Sequence, residues 1–358
     1  MRFELSEEQL ALQNTVERLL EERLDSARLL EVVDGDDGFD PALWHELAAM
    51  GVPGLPVPEA HGGVGLGLLD AAVVAEVLGR YGAPGPMPGH WLAAIAIAEG
   101  GSEQQKAEWL PRLASGEAVA TVALGEGDNR WQPDEWRLAA GETLRGTKHH
   151  VLYPERADVI VAGVAGGGLV LVTEPGETVS VQTLPCLDAT RRTAHVTFES
   201  TPCAPLDMPG ARLRDAGLVL LAADAFGGAR RALDMAVDYA LEREQFGRRI
   251  GSFQGLKHQL ANLAVEVEPA RGLYWYAAHA FDAVPEESAR MAAIAKAHIT
   301  DAFVHAGREA TQAHGGIAYT WEYPLHIWVK RAVFDKTYLG SPDVHRQRSA
   351  AMAGWAAP

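Results

Sequence analysis

Cysteine is scarce: the 358 residues hold two, Cys186 and Cys203. Two thiols build neither a disulfide framework nor a four-ligand zinc site, so a reducing cytoplasm is the expected setting and no bound metal is expected. Both read as small buried apolar side chains. Basic residues are also short, 31 against 48 acidic ones, for a formal charge of −17. That deficit excludes a general nucleic-acid binder, which needs a basic face against phosphates. A local basic pocket for an anionic ligand stays open. No apolar run reaches the ~18 residues of a spanning helix. The start, Met1-Arg2-Phe3-Glu4-Leu5-Ser6-Glu7-Glu8, is acidic and amphipathic, unlike a secretion signal. Short internal repeats and low-complexity tails are missing too.

What is present is a globular balance, 47% apolar and 22% charged. The length predicts two or three domains. Residues 1–118 read as a helical domain. Ser6 and Gln9 have capping-box spacing ahead of the apolar positions Leu10, Leu12, Val16, Leu19, Leu20 and Leu24. Gly- and Pro-rich residues 51–67 break the pattern, and helices are predicted again over about 68–81, 89–99 and 103–115. Residues 119–208 turn to short β-branched runs such as Val159-Ile160-Val161 and Leu169-Val170-Leu171-Val172. These predict a small β-barrel or sandwich. Residues 209–358 return to long helices. One apolar stripe runs Leu218, Leu221, Ala222, Ala225, Ala229, Leu233, Val237, Ala240. A second runs Phe253, Leu256, Leu260, Leu263, Val267, and a third helix covers about 286–313. The class is α+β, a helical bundle with a β domain set into it.

Glycines at 62–67 do not make a phosphate loop, because no strand precedes them and no Lys-Ser/Thr follows. Ala165-Gly166-Gly167-Gly168 reads as a hairpin turn. Two other segments are more informative. In Tyr239-Ala240-Leu241-Glu242-Arg243-Glu244-Gln245-Phe246-Gly247, a helix ends in charged residues and a tight turn, with Ser252 placed to cap the next helix. Arg243 at that junction suits a diphosphate, although cations also favour helix C-termini for their own sake. In Gln312-Ala313-His314-Gly315-Gly316, the glycines end a helix and allow close backbone approach, and Pro324 sits near the next start. His314 reads as a turn or interface residue.

Together the two segments resemble the flavin-binding segments of the acyl-CoA dehydrogenase family, Tyr-x-x-x-Arg-x-x-Phe-Gly and Gln-x-x-Gly-Gly. Gly146-Thr147-Lys148 followed by Ala157-Asp158-Val159 resembles its middle-domain signature. Trp321-Glu322-Tyr323-Pro324 is similar to its actinobacterial branch. The resemblance implies a C-terminal four-helix bundle, FAD, an acyl-CoA substrate, and electron-transfer flavoprotein as acceptor. It assigns Arg243, Gln245, Phe246, Gln254, Gln312, Ala313, Gly315 and Gly316 to FAD. It also implies a carboxylate that takes the α-proton while the β-hydrogen leaves as hydride.

The departures are specific. Leu339 and Gly217 stand at the two positions where the family places its base. Asp215 and Asp224 are nearby carboxylates, read first as solvated or capping residues and second as a displaced base. The loop Gly125-Glu126-Gly127-Asp128-Asn129-Arg130 lacks the family's Pro and Ser, and His150-Val151-Leu152 replaces its Trp-x-Thr beside the flavin ring. Arg130, Arg137 and Arg191 read as solvated. Three functions remain open. The chain is the base-lacking subunit of an α2β2 complex, as in family members acting on steroid side-chain thioesters. Or it is a self-sufficient dehydrogenase, a homotetramer, with a moved Asp base. Or it is a non-redox scaffold or thioester-binding protein on the same fold.

Overall fold

The computed structural model describes residues 4–35 and 38–355. Met1–Phe3 of the acidic start lie outside them. Six helices come first: α1 (Glu7–Arg23), α2 (Ser26–Asp34), α3 (Pro41–Ala49), α4 (Leu68–Arg80), α5 (Met87–Gly100) and α6 (Glu103–Ala114). Their starts follow local chemistry. Ser6 Oγ accepts from Gln9 N at 3.1 Å, and Gln9 Oε1 accepts from Ser6 N at 2.9 Å. Asp25 and Asp40 cap α2 and α3, and Pro41 supplies a first residue that needs no amide partner.

Seven strands follow: β1 (Ala120–Ala123), β2 (Thr143–Leu152), β3 (Val159–Val164), β4 (Gly168–Thr173), β5 (Val179–Thr183), β6 (Thr193–Pro202) and β7 (Ala204–Leu206). They form two sheets, ordered β1-β3-β4-β7 and β2-β6-β5. β3 and β4 pair up to Val164 and Gly168, which places the expected hairpin turn at 165–167. Leu144, Val151, Val196 and Phe198 of one sheet share a core with Ile160, Ala162, Val170 and Val172 of the other. Of the two expected forms this is the sandwich. The sheets do not close into a barrel, since no continuous ladder joins their edge strands among the described residues.

The chain then returns to helix: α7 (Gly210–Glu242), a ribbon β8 (Glu244–Gln245) with β9 (Arg248–Arg249), α8 (Gln254–Val267), α9 (Arg271–Ala283), α10 (Pro285–His314), α11 (Leu325–Thr337) and α12 (Pro342–Met352). The stripe on α7 is buried from Leu218 to Leu233, with Val237 half-buried and Ala240 buried again. Helix α9, which the apolar stripes did not isolate, is separated from α8 by a tight turn containing Pro269. Helices α4 and α7 approach so closely that a Cβ on Gly79 would lie 2.0 Å from the Asp224 carbonyl, and one on Gly227 would lie 1.9 Å from that of Glu76. Only glycine permits that contact. No helix among the described residues is long and apolar enough to cross a membrane.

His90 ties α5 to the first sheet. Its Nε2 donates to the Leu113 carbonyl at 3.1 Å, and its Nδ1 accepts from Ala120 N at 3.3 Å. Both bonds fix the neutral ring, and burial pushes its pKa down to about 4. The unfolded chain takes this proton near 6.5, the folded chain only near 4, so stability present above 6.5 is lost as pH falls through that window. The loss is expected to reach roughly 3 kcal/mol. Urea unfolding at pH 7 and pH 4 checks it. His90→Gln, which keeps a donor and an acceptor without a titrating ring, should flatten the dependence by that amount.

Candidate functional site

The two motif segments meet at one edge of the C-terminal helices. Arg243 caps α7, its N–H donating to Tyr239 O at 2.8 Å. Phe246 (φ 54°) and Gly247 (φ 76°) turn the β8–β9 ribbon, leaving Phe246 92% exposed. Ser252 does not cap α8. Its hydroxyl donates to Arg249 O at 2.7 Å, and Phe253 occupies the cap position without a side-chain bond. The ribbon consumes the residues that a free cap would need. Gln254 is therefore the first helical residue of α8 and is exposed.

His314 joins this segment to the second. Its ring stacks on Tyr239 at 4.5 Å. Nδ1 donates to Ala310 O at 2.7 Å, so Nε2 accepts from the Tyr323 hydroxyl at 2.8 Å. Burial holds its pKa below the ordinary value. His314 is thus a buried joint at the end of α10, where the sequence reading expected a turn or interface residue. Around it, Gln312, Gly315 and Gly316 are exposed and Ala313 is half-buried. Gln245 Nε2 donates only to the adjacent Glu244 carbonyl. A Cβ on Gly247, Gly315 or Gly316 would meet nothing within 4 Å. An exposed guanidinium at Arg243, several amide side chains, open glycine backbone and a bare phenyl ring form a donor set that fits a diphosphate carrying a planar ring.

The second region surrounds the two base positions. Gly217 on α7 and Leu339 after α11 face each other: a Cβ on Gly217 would lie 2.6 Å from Leu339 Cδ1 and 3.3 Å from Leu92 Cδ1. Leu339 is fully buried, at φ 60°. Its turn is clamped from two sides. His345 Nε2 donates to Leu339 O at 3.0 Å, and the buried Lys296 ammonium donates to the carbonyls of Asp335, Lys336 and Gly340. Leu152, which stands where the family carries a hydroxyl, lines the same apolar slot.

Neither nearby aspartate is solvated or capping, contrary to the expectation. Asp215 is two residues from Gly217, about 200° around the helix. It is buried against Arg214 and Arg348 at 3.0 and 2.8 Å, and burial outweighs them to raise its pKa. Asp224 lines the slot but is fully engaged. Arg191 NH2 reaches it at 2.9 Å, and Arg331 Nε at 2.7 Å with a second bond from NH2. These guanidiniums hold its pKa below the ordinary carboxylate range. Both arginines also donate to Ala83 O at 3.0 Å, and Arg331 to Thr190 Oγ1 at 3.0 Å. Arg191 is therefore 2% exposed and structural, not solvated. Arg137 is exposed as expected, and Arg130 is half-buried against Asp128. Asp335 is buried beside Asp224, whose charge and the surrounding burial push its carboxyl well up.

A pocket of about 330 Å³ lies outside this cluster, lined by Trp131, His150, Thr193, Phe334 and Tyr338 among others. His150 stacks on Trp131 at 6.2 Å. In the altered loop, Glu126 accepts from Arg137 N at 2.8 Å, Leu138 N at 3.0 Å and the buried Lys148 ammonium at 2.6 Å. Burial pushes Lys148 down to about 8. This buried pair went unread in the sequence, because nothing local marks two residues 22 apart as partners.

Known proteins carry the same plan. The family described as "Acyl-CoA dehydrogenase, C-terminal domain" matches residues 216–353, and "Acyl-CoA dehydrogenase, N-terminal domain" matches residues 6–117. Acyl-CoA dehydrogenase IpdE2 of Mycobacterium tuberculosis is 35% identical, over 94% of each chain. Acyl-CoA dehydrogenase FadE34 of the same organism is 32% identical, over 80% of this chain and 38% of its own. A solved structure of a Tcur3481-Tcur3483 steroid ACAD variant superposes with a TM-score of 0.90 at 30% identity, covering 97% of this chain and 98% of that one.

Proposed function

The chain belongs to the acyl-CoA dehydrogenase family, flavin-dependent oxidoreductases acting on CH–CH bonds, and from that premise we propose that it is the subunit lacking the catalytic base in an α2β2 complex. One observation carries this reading: the two places for a base hold glycine and leucine, packed on each other. The substrate class is an acyl-CoA thioester, and the steroid ACAD of similar fold favours a steroid side chain. Electron-transfer flavoprotein is the proposed acceptor and the cytoplasm the proposed setting. The divisions 1–118, 119–208 and 209–358 are its proposed domains.

In this reading Arg243, Gln245, Phe246, Gln254, Gln312, Ala313, Gly315 and Gly316 would hold part of an FAD shared with the partner. Bound FAD supplies the hydride acceptor for the β-hydrogen. Arg243, exposed at the end of α7, would fork onto the diphosphate. The glycines admit the ligand against main chain, and Phe246 offers a stacking face. Proton removal falls to the partner. Asp215 points away from the slot, and Asp224 has its lone pairs taken by two guanidiniums, which opposes proton uptake.

The test is flavin stoichiometry. The chain is purified alone and after co-expression with a base-bearing homologue. Flavin absorbance is expected only in the mixed complex, at about one FAD per two chains. A flavin-saturated, active homotetramer of this chain would remove the reading.

A further inference from the structure

Leu339 is more than a missing carboxylate. A non-glycine residue at φ 60° is strained, and such residues persist where surrounding structure insists on them. Here the insistence is explicit. Lys296, His345 and the α11 C-terminus hold the turn, and its effect is to drive a leucine side chain against Gly217, in a slot that Leu92 also lines. The slot between α5, α7 and the first sheet is walled mostly by Leu92, Val122, Leu152, Leu220 and Leu221, a lining suited to a hydrocarbon chain, with the mutually paired Arg191 and Asp224 as its charged members. Yet it encloses about 10 Å³, no more than the ~10–15 Å³ that one water needs. Tyr338 and Phe334, stacked at 4.9 Å, face both this slot and the 330 Å³ outer pocket.

We infer that Leu339 is a steric plug that excludes the acyl chain from this subunit's own cleft, so that thioester binding is confined to the partner. The inference rests on the reading above that this cleft is the counterpart of an acyl site. It adds that the cleft is closed by volume, not merely disarmed. Restoring a carboxylate alone would therefore not restore the site. Removing the plug would restore chain-length recognition without any chemistry.

The test compares binding of S-octyl-CoA and S-methyl-CoA, two unreactive thioethers, by calorimetry on the full chain. The native chain should show no preference between them. Leu339→Gly, which also relieves the positive φ, should prefer S-octyl-CoA by roughly 50-fold, the equivalent of about three methylenes newly buried. Leu92→Ala opens the same slot from the opposite wall and should create the same preference if the turn variant folds poorly. A native chain that already prefers the octyl ligand overturns the inference, as do two folded variants that both lack a preference. Neither result bears on flavin stoichiometry, so the plug and the shared-FAD role fail separately.

Discussion

Replacing Asp224 with alanine is expected to destabilise the chain by about 3–5 kcal/mol, the largest single effect anticipated here. Asp224 is the shared anion for two guanidiniums that have almost no access to water. Its removal leaves both charges buried, hydrogen-bonded only to main-chain and threonine oxygens, with the buried carboxyls of Asp188 and Asp335 as the remaining acidic neighbours. Urea unfolding at neutral pH measures the loss. Asp335 complicates the result in a defined way. Burial and the charge of Asp224 push its carboxyl well above the ordinary range. With Asp224 gone, Asp335 can ionise toward Arg331 and recover part of the loss. The double variant Asp224→Ala/Asp335→Ala should therefore cost more than the sum of its single variants. A loss below about 1 kcal/mol in that double variant would mean the two arginines are solvated in solution, and the cluster as described would be wrong.

Arg243→Ala should leave folding untouched and weaken flavin retention in the assembled complex roughly 10- to 100-fold, as expected for losing a charged hydrogen-bonding partner. The side chain is exposed and caps its helix through main chain alone, so the change removes no internal contact. Arg243→Lys keeps the charge but not the fork and should fall between the two. The measurement is the dissociation constant of FAD from the co-expressed complex, read by flavin fluorescence. Unchanged retention in Arg243→Ala would detach this edge from the cofactor altogether.

The legible parts of this protein were those written within a few residues. The helix start at Ser6 follows from a side chain three positions from its partner. The Gly166-Gly167 turn and the breaks at 51–67 are equally local. The two motif segments were legible by wording, and the structure adds that Tyr239 and His314 bring them together. What escaped was pairing at long range. Arg191 and Asp224 look like surface residues by composition, because burial of a charge depends on partners 33 and 107 positions away. Glu126 and Lys148 escaped for the same reason. Ser252 was misplaced because a two-residue ribbon, too short for any periodicity, spends its hydroxyl on Arg249.

The arginine cluster also sets an order in time. A chain emerges from its ribosome N-terminus first, and domains generally settle as they appear. The carbonyl of Ala83 is made early, Arg191 and Asp224 midway, and Arg331 comes 248 positions after that carbonyl. Until Arg331 arrives, one guanidinium is enough to balance Asp224, and the early helices and the sandwich meet around an incomplete joint. Later synthesis then delivers the second cation together with the turn that carries Leu339. Nascent chains halted before α11 should therefore be held together loosely and be open to proteolysis, while release of α11 locks the early helices, the sandwich and α7 together.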